Sequence, residues 1–222
     1  MKYIFFSAKL LKLAVKKIFL IRHGETDYNR TGIVQGSGVN SALNENGYLQ
    51  AELFYQAYEN YPFEKVYTSS LRRTIQSVEK FIEKGIPHEI LPGLNEISWG
   101  RSEGIQFSPE TNRIYEEIIE SWKQGNIHLK LDGGESPVEV KSRQEIAIKE
   151  ILNNAQEKNI LVCMHGRAMK ILLAWITGRS VAEMDLFEHV NLSLYILHYN
   201  GKGFEIHVNN DIRHLINYSP VV

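Results

Sequence analysis

The chain has 222 residues, 43% of them hydrophobic and 23% charged, with a formal net charge of -1. Those values suit one medium-sized globular unit that buries its own core. They exclude a disordered chain and give no bulk positive charge for nucleic acid or acidic membranes. Cys163 is the single cysteine, so an internal disulfide and a cysteine-rich metal site are both ruled out, and a reducing, cytoplasmic setting is expected.

In chain order, the first sixteen residues mix an apolar run, Tyr3 to Phe6, with Lys9, Lys12 and Lys16. The lysines break up the apolar stretch and no small-residue cleavage site precedes Ile18. No window approaches the roughly 18–20 apolar residues of a membrane helix. Residues 1–16 therefore read as an N-terminal extension, a short basic amphipathic helix with contact at a membrane surface as the alternative. A single domain over 17–222 follows, with no stable membrane insertion.

Lys17 to Ile21 is nearly continuous in apolar residues, as expected of a strand covered on both faces. Gly24 to Asn40 is polar and irregular enough to be a functional loop. Asn44 predicts an N-cap, with Leu49, Leu53, Phe54, Ala57 and Tyr58 at helical spacing behind it. A strand is predicted within Phe63 to Thr68, then a helix capped by Ser69 or Ser70 and running through Val78, Phe81 and Ile82, then a short strand at His88 to Leu91. Pro92 to Ser108 reads as a loop, and Pro109 to Lys123 as a helix with proline in its first turn. A break at Asp132 to Pro137 precedes a helix to about Ala155. Asn159 to Met164 is the second strongly apolar strand, leading into His165-Gly166-Arg167 and a helix through Trp175. Leu192 to His198 and Phe204 to Val208 are late strands separated by the turn at Asn200 to Gly203. Strands alternating with helices predict an α/β fold with a mostly parallel sheet, whose ligands bind at the carboxyl ends of strands.

The two most apolar strands each end in a histidine followed by glycine, His23-Gly24 and His165-Gly166. A single histidine at a strand end is ordinarily structural or solvated. Two such pairs, with Arg22, Arg73 and Arg167 beside or near them, point instead to an oxyanion site. A phosphate monoester demands multidentate cationic donors, and guanidinium supplies them in a rigid fork. The two glycines leave the backbone bare for a close anion, and the helix starting near Gly166 offers N–H groups and its positive dipole end. A neutral imidazole can attack phosphorus and form a phosphohistidine. The second imidazole, when protonated, can stabilise charge on the equatorial oxygens. No pair of histidines has the His-Glu-x-x-His spacing of a zinc hydrolase.

These residues resemble the signatures of the histidine phosphatase superfamily, also called phosphoglycerate mutase-like. Arg22-His23-Gly24-Glu25-Thr26 with Asn29 is similar to its first motif, followed by Gln35-Gly36. Ser69-Ser70-Leu71-Arg72-Arg73-Thr74-Ile75-Gln76-Ser77 resembles the second, with Thr74 and Ser77 in place of Ala and Thr. Leu94 to Gly104 resembles the third and Met164-His165-Gly166 the fourth, and Arg167 stands where the family usually carries a Gly- or Ser-type residue. The resemblance spans Ile18 to Leu215. It implies a three-layer sandwich with a mostly parallel central sheet flanked by helices. It further implies that His23 attacks phosphorus, that Arg22, Arg73 and His165 hold the phosphoryl oxygens, and that Glu96 is the general acid. Asn29, Gln35, Gly36, Gly166 and Arg167 are the expected substrate- or phosphate-binding residues. Glu25 is expected to orient the loop, Glu103 to have no catalytic part and Cys163 to be core, while His189 and His214 receive no role.

The implied function is a phosphomonoester hydrolase acting on a small phosphorylated metabolite, with neither cofactor nor metal and no nucleic-acid partner. The sequence leaves a homodimer open. The segment after Glu96, Ile97-Ser98-Trp99-Gly100-Arg101-Ser102-Glu103-Gly104, resembles the phosphatase branch. The alternatives are a cofactor-dependent phosphoglycerate mutase and a catalytically silent phosphate-binding protein. Pocket-lining candidates are Arg30 to Asn40, Pro109 to Leu131 and Arg167.

Overall fold

The computed structural model describes residues 16–106 and 108–216; the extension expected over 1–16 lies outside them except for Lys16. Six strands, β1 (Lys16–Arg22), β2 (Lys65–Thr68), β3 (His88–Ile90), β4 (Asn159–Met164), β5 (Leu194–Tyr199) and β6 (Phe204–Asp211), form one sheet in the order β3-β2-β4-β1-β5-β6. β1, β2, β3 and β4 run parallel, and the two late strands add to the β1 side as an antiparallel hairpin.

Alternation along each central strand sends its side chains into two separate cores. Ile18 and Leu20 join Val162, Met164 and Tyr195 on one face, under α5 (Pro137–Asn153), α6 (Gly166–Ile176) and Trp122 of α4 (Pro109–Lys123). Phe19 and Ile21 join Val66, Leu161 and Cys163 on the other, with Phe54 of α2 (Glu45–Tyr58) and Val78 and Phe81 of α3 (Arg72–Glu83). The expected three-layer α/β arrangement is therefore observed, and Cys163 is core, fully buried.

Local chemistry explains where the helices begin. Asn44 caps α2 by accepting from Gly47 N, and Ser136 and Glu139 form a capping box at α5. Two boundaries differ from expectation. The irregular stretch 24–40 contains a five-residue helix, α1 (Asp27–Thr31), closed by a capping box between Thr26 and Asn29; it is too short to show a hydrophobic period. Neither Ser69 nor Ser70 caps α3, whose N-cap is Leu71 without a side-chain bond. Both serines are engaged elsewhere: Ser69 Oγ lies 2.8 Å from His165 Nε2, and Ser70 donates to Asn95 Oδ1.

Phe54 is fully buried, with ring contacts to Tyr58 at 4.7 Å and His214 at 5.1 Å. Phe54→Ala leaves a cavity there and is expected to cost about 3–5 kcal/mol, read as a lowered urea midpoint at unchanged slope. A loss under about 1 kcal/mol would show that α2 does not depend on this contact.

Candidate active site

Strand register builds the centre of the site. Arg22 pairs with Met164 across β1 and β4, and His23 N donates to Met164 O at 3.0 Å. One residue further along each strand, His23 and His165 stand side by side, ring centroids 5.1 Å apart and planes inclined by 56°. Both are buried, 2% and 0% exposed.

The tautomers follow from what surrounds each ring. His23 Nδ1 is 2.7 Å from Gly24 O. A carbonyl only accepts, so Nδ1 carries the hydrogen and Nε2 keeps its lone pair. Burial, reinforced by Arg73 and Arg22, holds the His23 pKa well below its ordinary value. His165 Nδ1 accepts from Arg73 Nε at 3.1 Å, so its hydrogen is on Nε2 and is donated to Ser69 Oγ at 2.8 Å. Burial first, then Arg73, depresses this pKa as well. His165 is thus a neutral imidazole, because burial first and the nearby arginines second disfavour its charged form. The fixed charge resides on those arginines.

Arg73, fully buried, donates to His165, to Val39 O at 2.6 Å and to Gly36 O at 3.3 Å. Burial draws its pKa down to about 10, which leaves it protonated at neutral pH. Two of its five N–H groups take no part in those bonds. Arg22 meets His189 Nδ1 at 3.4 Å, and its buried Nε has no hydrogen-bond partner. A buried donor without an acceptor costs free energy until a ligand supplies one.

The glycines also make room for neighbouring protein groups. A Cβ at Gly24 would sit 2.7 Å from Gly47 O, and one at Gly166 would sit 2.7 Å from His189 Cε1. They admit protein groups, whichever anion binds. The α6 N-terminus is likewise occupied: Arg167 N and Ala168 N donate to Glu96 at 3.1 and 2.8 Å, and Ile97 N adds a third bond at 2.9 Å. Oε1 takes two of these donors and Oε2 one, so Oε2 has the freer lone pair.

A cavity of about 630 Å³ lies beside the histidines. Arg22, Asn29, Gln35, Glu96, Gly166 and Arg167 are in its wall, while His23, Arg73, His165 and Gly36 are not. Gly36 acts through its carbonyl on Arg73. Asn29 Oδ1 accepts from Thr26 N and Asn191 Nδ2, both at 3.3 Å, which leaves Asn29 Nδ2 outside these bonds. Arg167 is braced by Asp185 at 2.7 Å and by Tyr115 Oη at 3.0 Å. Of the other candidate segments, 30–40 contributes Gly32 to Gln35 and 109–131 contributes Tyr115. Glu25 accepts from Asn44 and Asn46, tying the loop to α2, and Glu103 accepts from Trp99 N and Ser98 Oγ. His214 Nε2 donates to Leu192 O at 2.9 Å, and the ring packs on Phe54. Sequence reasoning missed His189 and Asn191, which reach Arg22 and His23 O respectively. Neither lies within the four motifs that carry the resemblance. Among the described residues no group of three or more His, Cys, Asp or Glu is placed to hold a metal ion.

Burial, with Arg22 the largest charge effect, lowers the His189 pKa to about 3, against roughly 6.5 in an unfolded chain. Between those values the unfolded chain binds a proton that the folded protein refuses, so stability falls as pH drops below about 6.5. His189→Asn is expected to remove about 1.4 kcal/mol per pH unit from the slope of unfolding free energy between about pH 5.5 and 4.5. Parallel slopes for variant and wild type in denaturant titrations would contradict a buried neutral His189.

The model of the histidine phosphatase superfamily (branch 1) matches residues 18–212. The human protein 6-phosphofructo-2-kinase/fructose-2,6-bisphosphatase 1 is 31% identical over 198 residues, 87% of this chain and 40% of the relative. The rat 6-phosphofructo-2-kinase/fructose-2,6-bisphosphatase 3 is 29% identical over 87% of this chain and 34% of its own length. The chain therefore spans well under half of these relatives. Among solved structures, the alpha-ribazole phosphatase from Shigella flexneri superposes with a TM-score of 0.78 at 24% identity, covering 88% of this chain and 96% of that one. The mycobacterial glucosyl-3-phosphoglycerate phosphatase gives 0.79 at 22% identity, covering 89% and 100%. These two likenesses concern the fold. The chain belongs to the histidine phosphatase superfamily, branch 1, and is an enzyme of the phosphatase type.

Proposed function

We propose that the protein hydrolyses a small phosphate monoester through a phosphohistidine at His23 Nε2. The observation that carries this reading is the state of His23. It is buried and neutral, and its Nδ1–H is committed to Gly24 O, so one lone pair remains on Nε2. A nucleophile so fixed needs no base to activate it.

In the first step Nε2 forms a bond to phosphorus as the ester P–O bond breaks, and the departing alkoxide takes a proton from Glu96. The freer lone pair makes Oε2 the oxygen that holds that proton. A positioned acid of this kind contributes about 10²–10⁴-fold. In the second step water attacks phosphorus, gives its proton back to Glu96, and the N–P bond breaks to release inorganic phosphate and neutral His23. Charge on the equatorial oxygens is met by Arg22, with its unpartnered Nε, and by the two uncommitted N–H groups of Arg73. Preorganised donors act most strongly in such a buried setting. His165 contributes by orienting Arg73.

Substrate identity is proposed only as a class. The cavity suits a small metabolite, Arg167 and Lys170 line it as cations, and the fructose-2,6-bisphosphatase named in the human relative supplies one compound for a substrate panel. Among the described residues no helix is long and apolar enough to cross a membrane, and the buried thiol of Cys163 suits a reducing cytoplasm.

His23→Ala is expected to abolish phosphate release at unchanged fold. Quenched wild-type enzyme should carry an acid-labile, alkali-stable phosphoryl group that the variant lacks. Near wild-type turnover by the variant would sink the assignment. Chelator is expected to leave turnover intact, and loss restored by zinc would favour a metallohydrolase instead. With 3-phosphoglycerate, with and without 2,3-bisphosphoglycerate, hydrolysis is expected to exceed isomerisation; the reverse would make the protein a mutase.

A further inference from the structure

Glu96 sits on a stretch, Pro92 to Trp99, that contains only a single 3-10 turn at Pro92–Leu94. A general acid must be held within a fraction of an ångström of the leaving group, and an irregular loop does not do this by itself. The stretch is clamped from outside the cavity. Arg143, from the middle of α5, donates through Nη1 to Gly93 O at 2.9 Å and Asn95 O at 2.8 Å, and through Nη2 to Glu96 O at 2.9 Å. Its remaining two N–H groups go to Glu135, Nε to Oε1 at 2.8 Å and Nη2 to Oε2 at 3.0 Å. All five donors are therefore in use. Glu135 Oε2 also accepts from Ser98 N at 2.9 Å, and Glu135 N donates to Ser98 O at 2.8 Å. The pair thus stitches both sides of Glu96, and neither residue is in the cavity wall.

Close packing reinforces the clamp. A Cβ at Gly93 would lie 2.6 Å from Arg143 O, and one at Gly134 would lie 2.7 Å from Ser98 O. Backbone therefore meets backbone on each side of the acid. Lysine, with one ammonium on a flexible stem, cannot reproduce a planar fork that spans three carbonyls and a carboxylate.

We infer that Arg143, fixed by Glu135, is a positioning residue that sets Glu96 for proton transfer to the leaving group. The inference rests on the reading of Glu96 as the general acid. It predicts a loss that depends on the leaving group, which a purely structural role would not produce. p-Nitrophenolate leaves readily without a proton, whereas phenolate, from an alcohol with a pKa of about 10, gains from one.

The test compares kcat/KM for p-nitrophenyl phosphate and phenyl phosphate in wild type, Glu96→Gln, Arg143→Lys and Glu135→Gln, with thermal melts alongside. Arg143→Lys is expected to lose about 10²-fold on phenyl phosphate and less than about threefold on the nitrophenyl ester, at the low end of what an acid contributes. In Glu96→Gln background the Arg143→Lys change should add little, because residues acting as a unit are not additive. Selectivity in Glu96→Gln but equal losses on the two esters in Arg143→Lys would overturn the positioning role. Equal losses in Glu96→Gln itself would remove Glu96 as the acid, and the inference about Arg143 with it. Should Arg143→Lys fail to fold, Glu135→Gln decides: a selective loss supports the clamp and a uniform one refutes it.

Discussion

Six backbone pairings, Lys17 with Asn159 through Arg22 with Met164, set the position of every other part of the site. Because the strands are parallel, both chains leave the sheet at the same edge, and residues next in sequence to a paired position are neighbours in space. A slip of one residue would exchange the two core faces and carry His23 away from His165. The apolar residues that alternate into the two cores therefore hold the histidines in register. The placement of the two histidines and the packing of the core share one cause.

That register brings two imidazoles and two guanidiniums together at a largely buried place. Like charges there repel strongly, and the arrangement resolves the conflict by keeping both imidazoles neutral. Hydrogen-bond partners fix the ring hydrogens: Gly24 O on His23, Arg73 and Ser69 on His165. Ser69 belongs to β2's carboxyl end, so a third parallel strand also feeds the site. The positive charge left on Arg22 and Arg73 awaits an anion.

The proposed acid, Glu96, comes from a separate layer. Glu96 reaches the sheet edge from a loop held by α5 and by the turn at Asp132 to Glu135, and its carboxylate closes over the first N–H groups of α6. The proposed nucleophile and the proposed acid are thus supported by different elements, the strands for one and a helix-borne ion pair for the other. A change in α5 can reach the acid while the histidines stay in place.

Sequence by itself indicated the order of the longer elements, the two buried strands and the helix cap at Asn44, and it named the candidate residues for phosphoryl chemistry. These were legible because hydrophobic period, capping side chains and short motifs are properties of neighbouring residues. It did not show α1, too short for a period, nor the use of Ser69 by His165, since the same hydroxyl could have capped α3. Tertiary structure alone decided the tautomers of His23 and His165, the occupation of the α6 N-terminus by Glu96, and the approach of His189 to Arg22. It also decided that Arg143 spends all five donors on residues 47 to 50 positions away and on a carboxylate eight positions away. The separation to Gly93 is 50, to Asn95 48 and to Glu96 47. Protonation and positioning depend on which distant groups share a desolvated space, and sequence order does not encode that distance.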